Sequence, residues 1–397
     1  MKQVSIIPEY NLGQKIIKGV RSLAMIFFHP FLFFIPRKKN LWIFGSSHGK
    51  RFADNSKYLY LYVNKNCPDI RPIWLTKNQK VIDELNKKGY QVHPTFSPKG
   101  FLYSIMAGYI ITSHGMRDIN NLLIGGAKII QLGHATPFKD FSVHNLGATL
   151  RKITGISSHY AIATSEKIRR EAALLIGVPE NYTAVTGTPR NDGLFDNPDL
   201  PLNNSIEDLK KRIKFKHIIT YFPTWRKDGG NLFEKYGFKT EEIEKKLKEL
   251  DAILIIKAHP MNIININKLK CSRIHNLSDE EVPDIFPLLR ETNILITDYS
   301  SVFLDFLLLN RPIIFAPFDI KEFNKKKDAF YYNYDEVTPG PKAKDWIEVF
   351  DVIEKELKED HYSKERKKIC KIFHKFQDNK SSERVFEFIK GLGEKQG

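Results

Sequence analysis

The chain has 397 residues and a mass of 46.1 kDa, more than one compact core usually holds, and its 42% hydrophobic content is that of a globular protein of two domains with appendages. A net charge of +16 points to anionic partners, whether nucleic acid, acidic lipid or a phosphorylated substrate, and does not choose among them. Cys67, Cys271 and Cys370 are scattered, odd in number and without a C-x-x-C pair, which argues against a disulfide framework and a zinc site and fits a reducing cytoplasm.

Near the start, Leu12, Ile16, Val20, Leu23, Phe27 and Phe31 recur at helical spacing, while Lys15, Lys18 and Arg21 take other faces. The apolar run from Ser22 to Pro36 is broken by His29-Pro30 and falls short of the roughly 20 residues that span a bilayer. Arg37-Lys38-Lys39 follows at once. Residues 1–36 are therefore expected to form a helix lying on an anionic membrane surface, with a helix docked on the protein body as the alternative. The long charged lead-in and the lack of a small-residue cleavage site argue against a signal peptide.

From Leu41 the pattern alternates strand and helix. Leu41 to Gly45 reads as a strand, Ser56 to Asn66 as a helix, Arg71 to Thr76 as a strand, Gln79 to Lys88 as a helix and Tyr90 to His93 as a strand. Further strands are expected at Tyr109 to Ser113, Lys128 to Leu132, Tyr160 to Thr164 and Thr183 to Gly187, with Ser165 capping a helix that ends near Gly177. Asp196 to Ser205, rich in Pro, Asn and Asp, is the best linker. A second series follows, with strands at His217 to Phe222, Ala252 to Lys257, Ile294 to Thr297 and Pro312 to Ala316, then helical segments rich in Lys and Glu. The reading is α/β: two similar halves with mostly parallel sheets facing each other across a central cleft. The expected boundaries are a membrane-associating segment over 1–36, an N-terminal domain over 37–195, a linker over 196–209, a C-terminal domain over 210–375 and a closing helix over 376–397.

Chemistry is expected at the carboxyl ends of these strands, where open α/β sheets bind ligands. The unit Ile294 to Asp319 places Asp298-Tyr299-Ser300-Ser301 between a buried strand and a helix over Val302 to Leu309. Ser300 or Ser301 can cap that helix, and free amides in its first turn favour an anion; an ordinary N-cap is the plain alternative. The strand ending at Leu132 runs into Gly133-His134-Ala135-Thr136-Pro137-Phe138-Lys139, where an imidazole can take a proton from a hydroxyl and Lys139 can hold an anion. Lys257 and His259 end another strand, Thr224 and Arg226 a third, and Arg190, Asn191 and Asp192 follow a fourth. Each alone is a weak signal, since a lone histidine is commonly a hydrogen-bonded structural residue. Together they describe an anion-handling cleft. No pair within this strand-end set of His and Asp residues has the i, i+4 spacing of a metal site, and a DxD pair for a nucleotide-bound cation is missing.

These residues resemble the CDP-glycerol glycerophosphotransferases, which make teichoic acids and related cell-surface polymers. The likeness covers almost the whole chain and runs in order through Gly49-x-x-Phe-x-Asp-Asn-Ser-Lys57, His134-Ala-Thr-Pro-Phe-Lys139, Gly187-Thr-Pro-Arg-Asn-Asp192, Phe222-Pro-Thr-Trp-Arg226, Lys257-Ala-His-Pro260, Ile296-Thr-Asp-Tyr-Ser-Ser301, Asn310-Arg-Pro312, Pro339-Gly340 and Asp378-x-x-x-Ser-x-Arg384. The resemblance implies a GT-B fold of two Rossmann-like domains, the nucleotide held mainly by the second, in a peripheral enzyme on the cytoplasmic side of the cell membrane. It also implies His134 as base towards the acceptor hydroxyl, His259 near the donor phosphates, Ser300 and Ser301 on the pyrophosphate and Pro339-Gly340 beside the nucleotide. Thr136, Lys139, Arg190, Asn191, Asp192, Thr224, Arg226, Lys257, Asp298 and Asp305 would complete the substrate contacts.

The implied reaction is in-line attack of an acceptor hydroxyl on the distal phosphorus of CDP-glycerol or another CDP-polyol, expelling CMP. The implied acceptor is a lipid-linked saccharide or polymer, and the implied surface an anionic membrane; nucleic acid is not an expected partner. No resident cofactor is required, while Mg2+ could assist the leaving pyrophosphate without a recognisable protein site. The chain departs from the family pattern in carrying Asp328-Ala329 where Arg-Gly is usual before Phe330-Tyr331, and Ala135 and Asn379 where glycine is usual. The alternatives are a CDP-ribitol ribitolphosphotransferase, a GT-B glycosyltransferase using a nucleotide sugar, and a basic binding protein without activity, the last weakened by the lack of an aromatic RNA-binding motif.

Overall fold

The computed structural model describes residues 31–120, 123–138, 158–195, 204–224, 226, 232–257, 271–324 and 330–394. Most of the expected membrane segment, Lys139, His259 and Asp328-Ala329 lie outside these residues.

Two parallel sheets form the frame. The first contains β1 (Lys38–Gly45), β2 (Arg71–Thr76), β3 (Val92–Pro94), β4 (Ala107–Thr112), β5 (Lys128–Gln131), β6 (Tyr160–Ala163) and β7 (Thr183–Val185), in the order β3-β2-β1-β4-β5-β6-β7. The second contains β8 (His217–Phe222), β9 (Ala252–Ile256), β10 (Ile274–Asn276), β11 (Ile294–Thr297) and β12 (Ile313–Phe315), in the order β10-β9-β8-β11-β12. Every residue of β4, β9 and β11 is buried, as expected of parallel strands covered on both faces. Alternate residues of β1 divide between two cores: Trp42 and Phe44 pack with Leu59, Trp74 and Ile111, whereas Leu41 and Ile43 pack with Ile73 and Ile110.

The expected strands are present to within a residue or two at their ends, except that β1 begins three residues before the expected Leu41. The elements not read from the sequence include the helix Pro98–Met106, which Ser97 caps by accepting from the Gly100 amide at 3.0 Å, the helices Asn204–Arg212, Thr240–Glu249 and Phe286–Glu291, and the three-residue β10. Two caps differ from expectation. Ser165 sits at an N-cap position, but its hydroxyl makes no capping hydrogen bond. The helix after β11 spans only Val302–Phe306 before tightening into a 3-10 turn at Leu307–Leu309. Ser301 before it already has helical φ and ψ and makes no side-chain cap, and Ser300 Oγ lies 3.5 Å from the Val302 amide, at the outer limit of a hydrogen bond.

The halves share a core. One apolar cluster joins Tyr58, Phe138, Ile168 and Leu194 of the first half to Phe286, Phe303, Ile369 and Phe373 of the second. The closing helix Ser381–Glu394 returns to the first half, where Val385 and Ile389 are fully buried and Phe386 lies 5.6 Å from Trp42. Asp192 fastens its start, accepting from the Ser381 amide at 2.9 Å and the Ser382 amide at 2.8 Å.

Candidate active site

In each sheet the strand order reverses once, between β1 and β4 and between β8 and β11, and such switch points open a crevice at the carboxyl ends of the strands. In the first half, β1 runs into a turn in which Ser47 and His48 adopt φ of 49° and 58°. Its neighbour β4 runs into Ser113-His114, and β5 continues to His134. Asp118 ties the first two together, accepting from the amides of His48 at 2.7 Å, Ser113 at 3.0 Å and His114 at 2.7 Å. Burial pushes its carboxyl up to about 6 against the opposing effect of those amides.

The His114 and His134 rings lie face to face, with centroids 4.3 Å apart and planes 11° from parallel. The Ser47 amide donates to His114 Nδ1 at 3.2 Å, and His114 Nε2 lies 3.8 Å from an Asp54 oxygen. Burial, followed by the neighbouring His134 and His48, pushes His114 down to about 2. Burial also lowers His134, with Asp54 opposing. Both rings are thus neutral near pH 7, the state a proton acceptor requires. They open on a cleft of about 880 Å³, lined by His48 and Arg51 on the same side and by Asp279 and Glu280 from the second half.

Arg190 lies buried next to this group. It pairs with Asp54 at 3.3 Å and with Asp305 of the second half at 2.8 Å, and it donates to the His134 carbonyl. Asn55 completes the frame by accepting from the Arg190 amide at 3.0 Å and donating to the Gly133 carbonyl at 2.9 Å. Thr136 and Asn191 are buried, and Thr136 Oγ1 and Asn191 Oδ1 find no hydrogen-bond partner among the described residues.

In the second half, Asp298 at the end of β11 accepts from the Thr224 amide at 2.8 Å and from Arg226 at 2.8 Å. Arg226 also makes a two-pronged contact with Asp319, both distances 2.8 Å, and its guanidinium lies 5.0 Å from the Tyr299 ring. Burial alone would lower its pKa, but Asp298 and Asp319 hold it well above the usual value. With its side chain 4% exposed, Arg226 braces the crevice from behind. Lys257, at the end of β9, pairs with Asp279, whose other oxygen lies 3.2 Å from Arg51 of the first half. Ser300 and Ser301 are half-buried beside Asp298. Gly340 packs on β12, where an added Cβ would sit 2.1 Å from the Ile313 carbonyl oxygen, and Pro339 before it is buried.

The structure therefore gathers His134, Arg190 and Asp305 into one group and Thr224, Arg226 and Asp298 into another, with Lys257 reaching the cleft wall through Asp279. Asp192 is engaged by the closing helix instead. Sequence reasoning quoted Asp54 only as part of the opening motif, with no role, and did not single out His114, Arg51, Asp279 or Asp319. His114 was within reach, because it follows a buried strand and precedes a glycine as His134 follows one. Among the described residues, no group of three or more His, Cys, Asp or Glu is arranged to hold a metal ion.

Two parallel α/β sheets whose switch-point crevices meet across a cleft of cations and neutral imidazoles define a GT-B transferase. The sequence profile of the CDP-Glycerol:Poly(glycerophosphate) glycerophosphotransferase family matches residues 27–391. The chain belongs to that family and is an enzyme of its transferase class. The teichoic acid poly(glycerol phosphate) polymerase of Bacillus spizizenii is 30% identical over 87% of this chain and 91% of its own length. The teichoic acid poly(ribitol-phosphate) polymerase of the same organism is 28% identical over 96% of this chain, which spans 61% of that longer protein. The solved structure of the wall teichoic acid polymerase TagF superposes with a TM-score of 0.72 at 20% identity, covering 96% of this chain and 98% of that one. A variant of TagF soaked with CDPG superposes with a TM-score of 0.71 at 22% identity, covering 96% of this chain and 97% of that one. The GT-B architecture expected from the sequence is the one observed.

Proposed function

We propose that this protein transfers glycerol phosphate, or a related polyol phosphate, from a CDP-activated donor to a hydroxyl of a lipid-linked acceptor in the synthesis of a teichoic-acid-like or capsular polymer. The acceptor oxygen forms a bond to the distal phosphorus, the bond from that phosphorus to the bridging oxygen breaks, and CMP leaves with the bridging oxygen. The acceptor proton goes to His134. Catalysis of such a displacement is chiefly positioning and charge neutralisation. The observation that carries the reading is His134 itself: an imidazole at a strand end that opens on the cleft yet is set deep enough between its walls to be desolvated and neutral, in a cleft that also presents Arg51. The family membership and the CDPG soak of TagF support a CDP-linked donor, and the two Bacillus spizizenii relatives leave glycerol and ribitol as the polyols to compare.

The enzyme works as a peripheral protein on the cytoplasmic side of the cell membrane. Phe31, Phe33 and Phe34 are 68%, 58% and 85% exposed and stand directly before the exposed Lys38 and Lys39, the pairing of aromatic and cationic groups that suits an anionic lipid surface. No helix among the described residues is long and apolar enough to cross a membrane. Replacing the three phenylalanines by serine is expected to release the protein from phosphatidylglycerol vesicles in a sedimentation assay; undiminished binding would rule out this surface.

The reaction is tested by nucleotide release from CDP-glycerol, CDP-ribitol, UDP-sugars and GDP-sugars with membrane lipid as acceptor. CMP release from one CDP-polyol, lost in His134→Ala with the melting temperature kept, is the expected result. Release of UDP or GDP would make the protein a glycosyltransferase.

A further inference from the structure

His134 follows Gly133, which has φ of 73°, and a Cβ built on that glycine would meet nothing within 4 Å. Local crowding at residue 133 therefore does not fix the imidazole. A ring at a strand end, exposed to a cleft, would ordinarily sample several rotamers. Two contacts restrain it: a hydrogen bond with the Ser113 backbone and the flat face of His114. His114 is itself fixed. A backbone N–H can only donate, so the Ser47 amide requires an unprotonated Nδ1, and the His114 proton must sit on Nε2, towards Asp54. The charged and titratable groups around the pair are Asp54, Arg190, His48 and Arg51.

We propose that His114 is a positioning residue for His134: held by the Ser47 amide, it offers an uncharged aromatic face that fixes the orientation of the base ring and bears the imidazolium formed when the acceptor hydroxyl gives up its proton. The proposal rests on the reading of His134 as the proton acceptor. An uncharged ring is suited to this place, because the face of an aromatic system attracts a cation whereas a second imidazolium would repel one. The competing explanation is that His114 serves only to accept the Ser47 amide and so hold the turn after β1.

Two substitutions separate these roles. His114→Phe keeps the ring face and removes the acceptor; His114→Asn offers an oxygen to the Ser47 amide and removes the face. The proposal expects His114→Phe to hold kcat within about 3-fold and His114→Asn to lower it about 10- to 100-fold, with the donor KM little changed in both. The reverse order, or a loss expressed in KM alone, would overturn it. An activity-independent readout is the NMR titration of the His134 ring in the full chain. Its midpoint is expected to stay below 6.5 in the Phe variant and to rise in the Asn variant as the ring loosens into solvent; identical titrations in the parent and the Asn variant would overturn the proposal. If His114→Asn does not fold, the Phe variant still decides, since a shifted His134 titration there is incompatible with stacking as the restraint. A parent that releases no nucleotide while its His134 titration still follows residue 114 would put the failure in the transferase reading and leave the stack intact.

Discussion

At the scale of single residues, the cleft histidines make stability depend on pH. His114 keeps its proton off down to about 2 in the fold, against 6.5 when unfolded, so between those values the unfolded chain binds more protons. Stability from this residue is therefore complete above 6.5 and is lost as pH falls. Asp118 acts in the opposite sense: raised from 3.8 to about 6, it holds a proton in the fold that the unfolded chain has released, so its contribution falls as pH rises through that window. On going from pH 5 to 7 the melting temperature of His114→Phe is expected to rise less than that of the parent, or to fall, in calorimetry, because the contribution that grows with pH is gone and that of Asp118 remains; an equal change would mean that His114 is not held neutral. Gly340 makes a steric prediction. With 2.1 Å between a new Cβ and the Ile313 oxygen, Gly340→Ala must displace backbone, and a loss of about 1–3 kcal/mol is expected from the shift in the urea midpoint.

At the scale of elements, Asp192 shows how a motif can be legible while its work is not. Its carboxylate takes the first free amides of helix Ser381–Glu394, 189 and 190 residues away, a pairing that no local pattern announces. Asp192→Ala is expected to remove about 1–2 kcal/mol of capping and to speed amide exchange in that helix while leaving β4 protected. Unchanged exchange would show that packing of Val385 and Ile389 holds the helix alone. The strands β1, β2, β4, β8, β9 and β11 were readable because their apolar runs are buried on both faces. The three-residue β10 left no run to read, and the helix Pro98–Met106 carried its signal only in Ser97-Pro98. At the site, strand-end position picked out His134, Arg190, Thr224 and Arg226. What the sequence did not separate was cleft-facing from bracing residues, because the deciding partners are remote: Asp305 lies 115 positions from Arg190, and Asp298 lies 72 from Arg226.

At the scale of the molecule, polar contacts as well as the shared apolar cluster join the halves. Lys57 and Tyr58 meet Asp284 at 2.5 and 2.8 Å, Arg51 meets Asp279 at 3.2 Å, and Arg190 meets Asp305 at 2.8 Å. The last pair is the most deeply buried, with side chains 5% and 3% exposed. Removing one member strands the other charge, so Asp305→Ala is expected to lose about 3–5 kcal/mol in calorimetry. A loss below about 1 kcal/mol would mean that Asp54 alone satisfies Arg190. The return of the last helix to the first half has a mechanical consequence. The covalent chain crosses between the halves twice, once between Phe195 and Asn204 and again between Phe373 and Ser381. Two covalent ties and one continuous apolar core hold the halves in a single mutual orientation, so the strand ends of the two sheets face each other across the cleft in a register that the threading of the chain dictates.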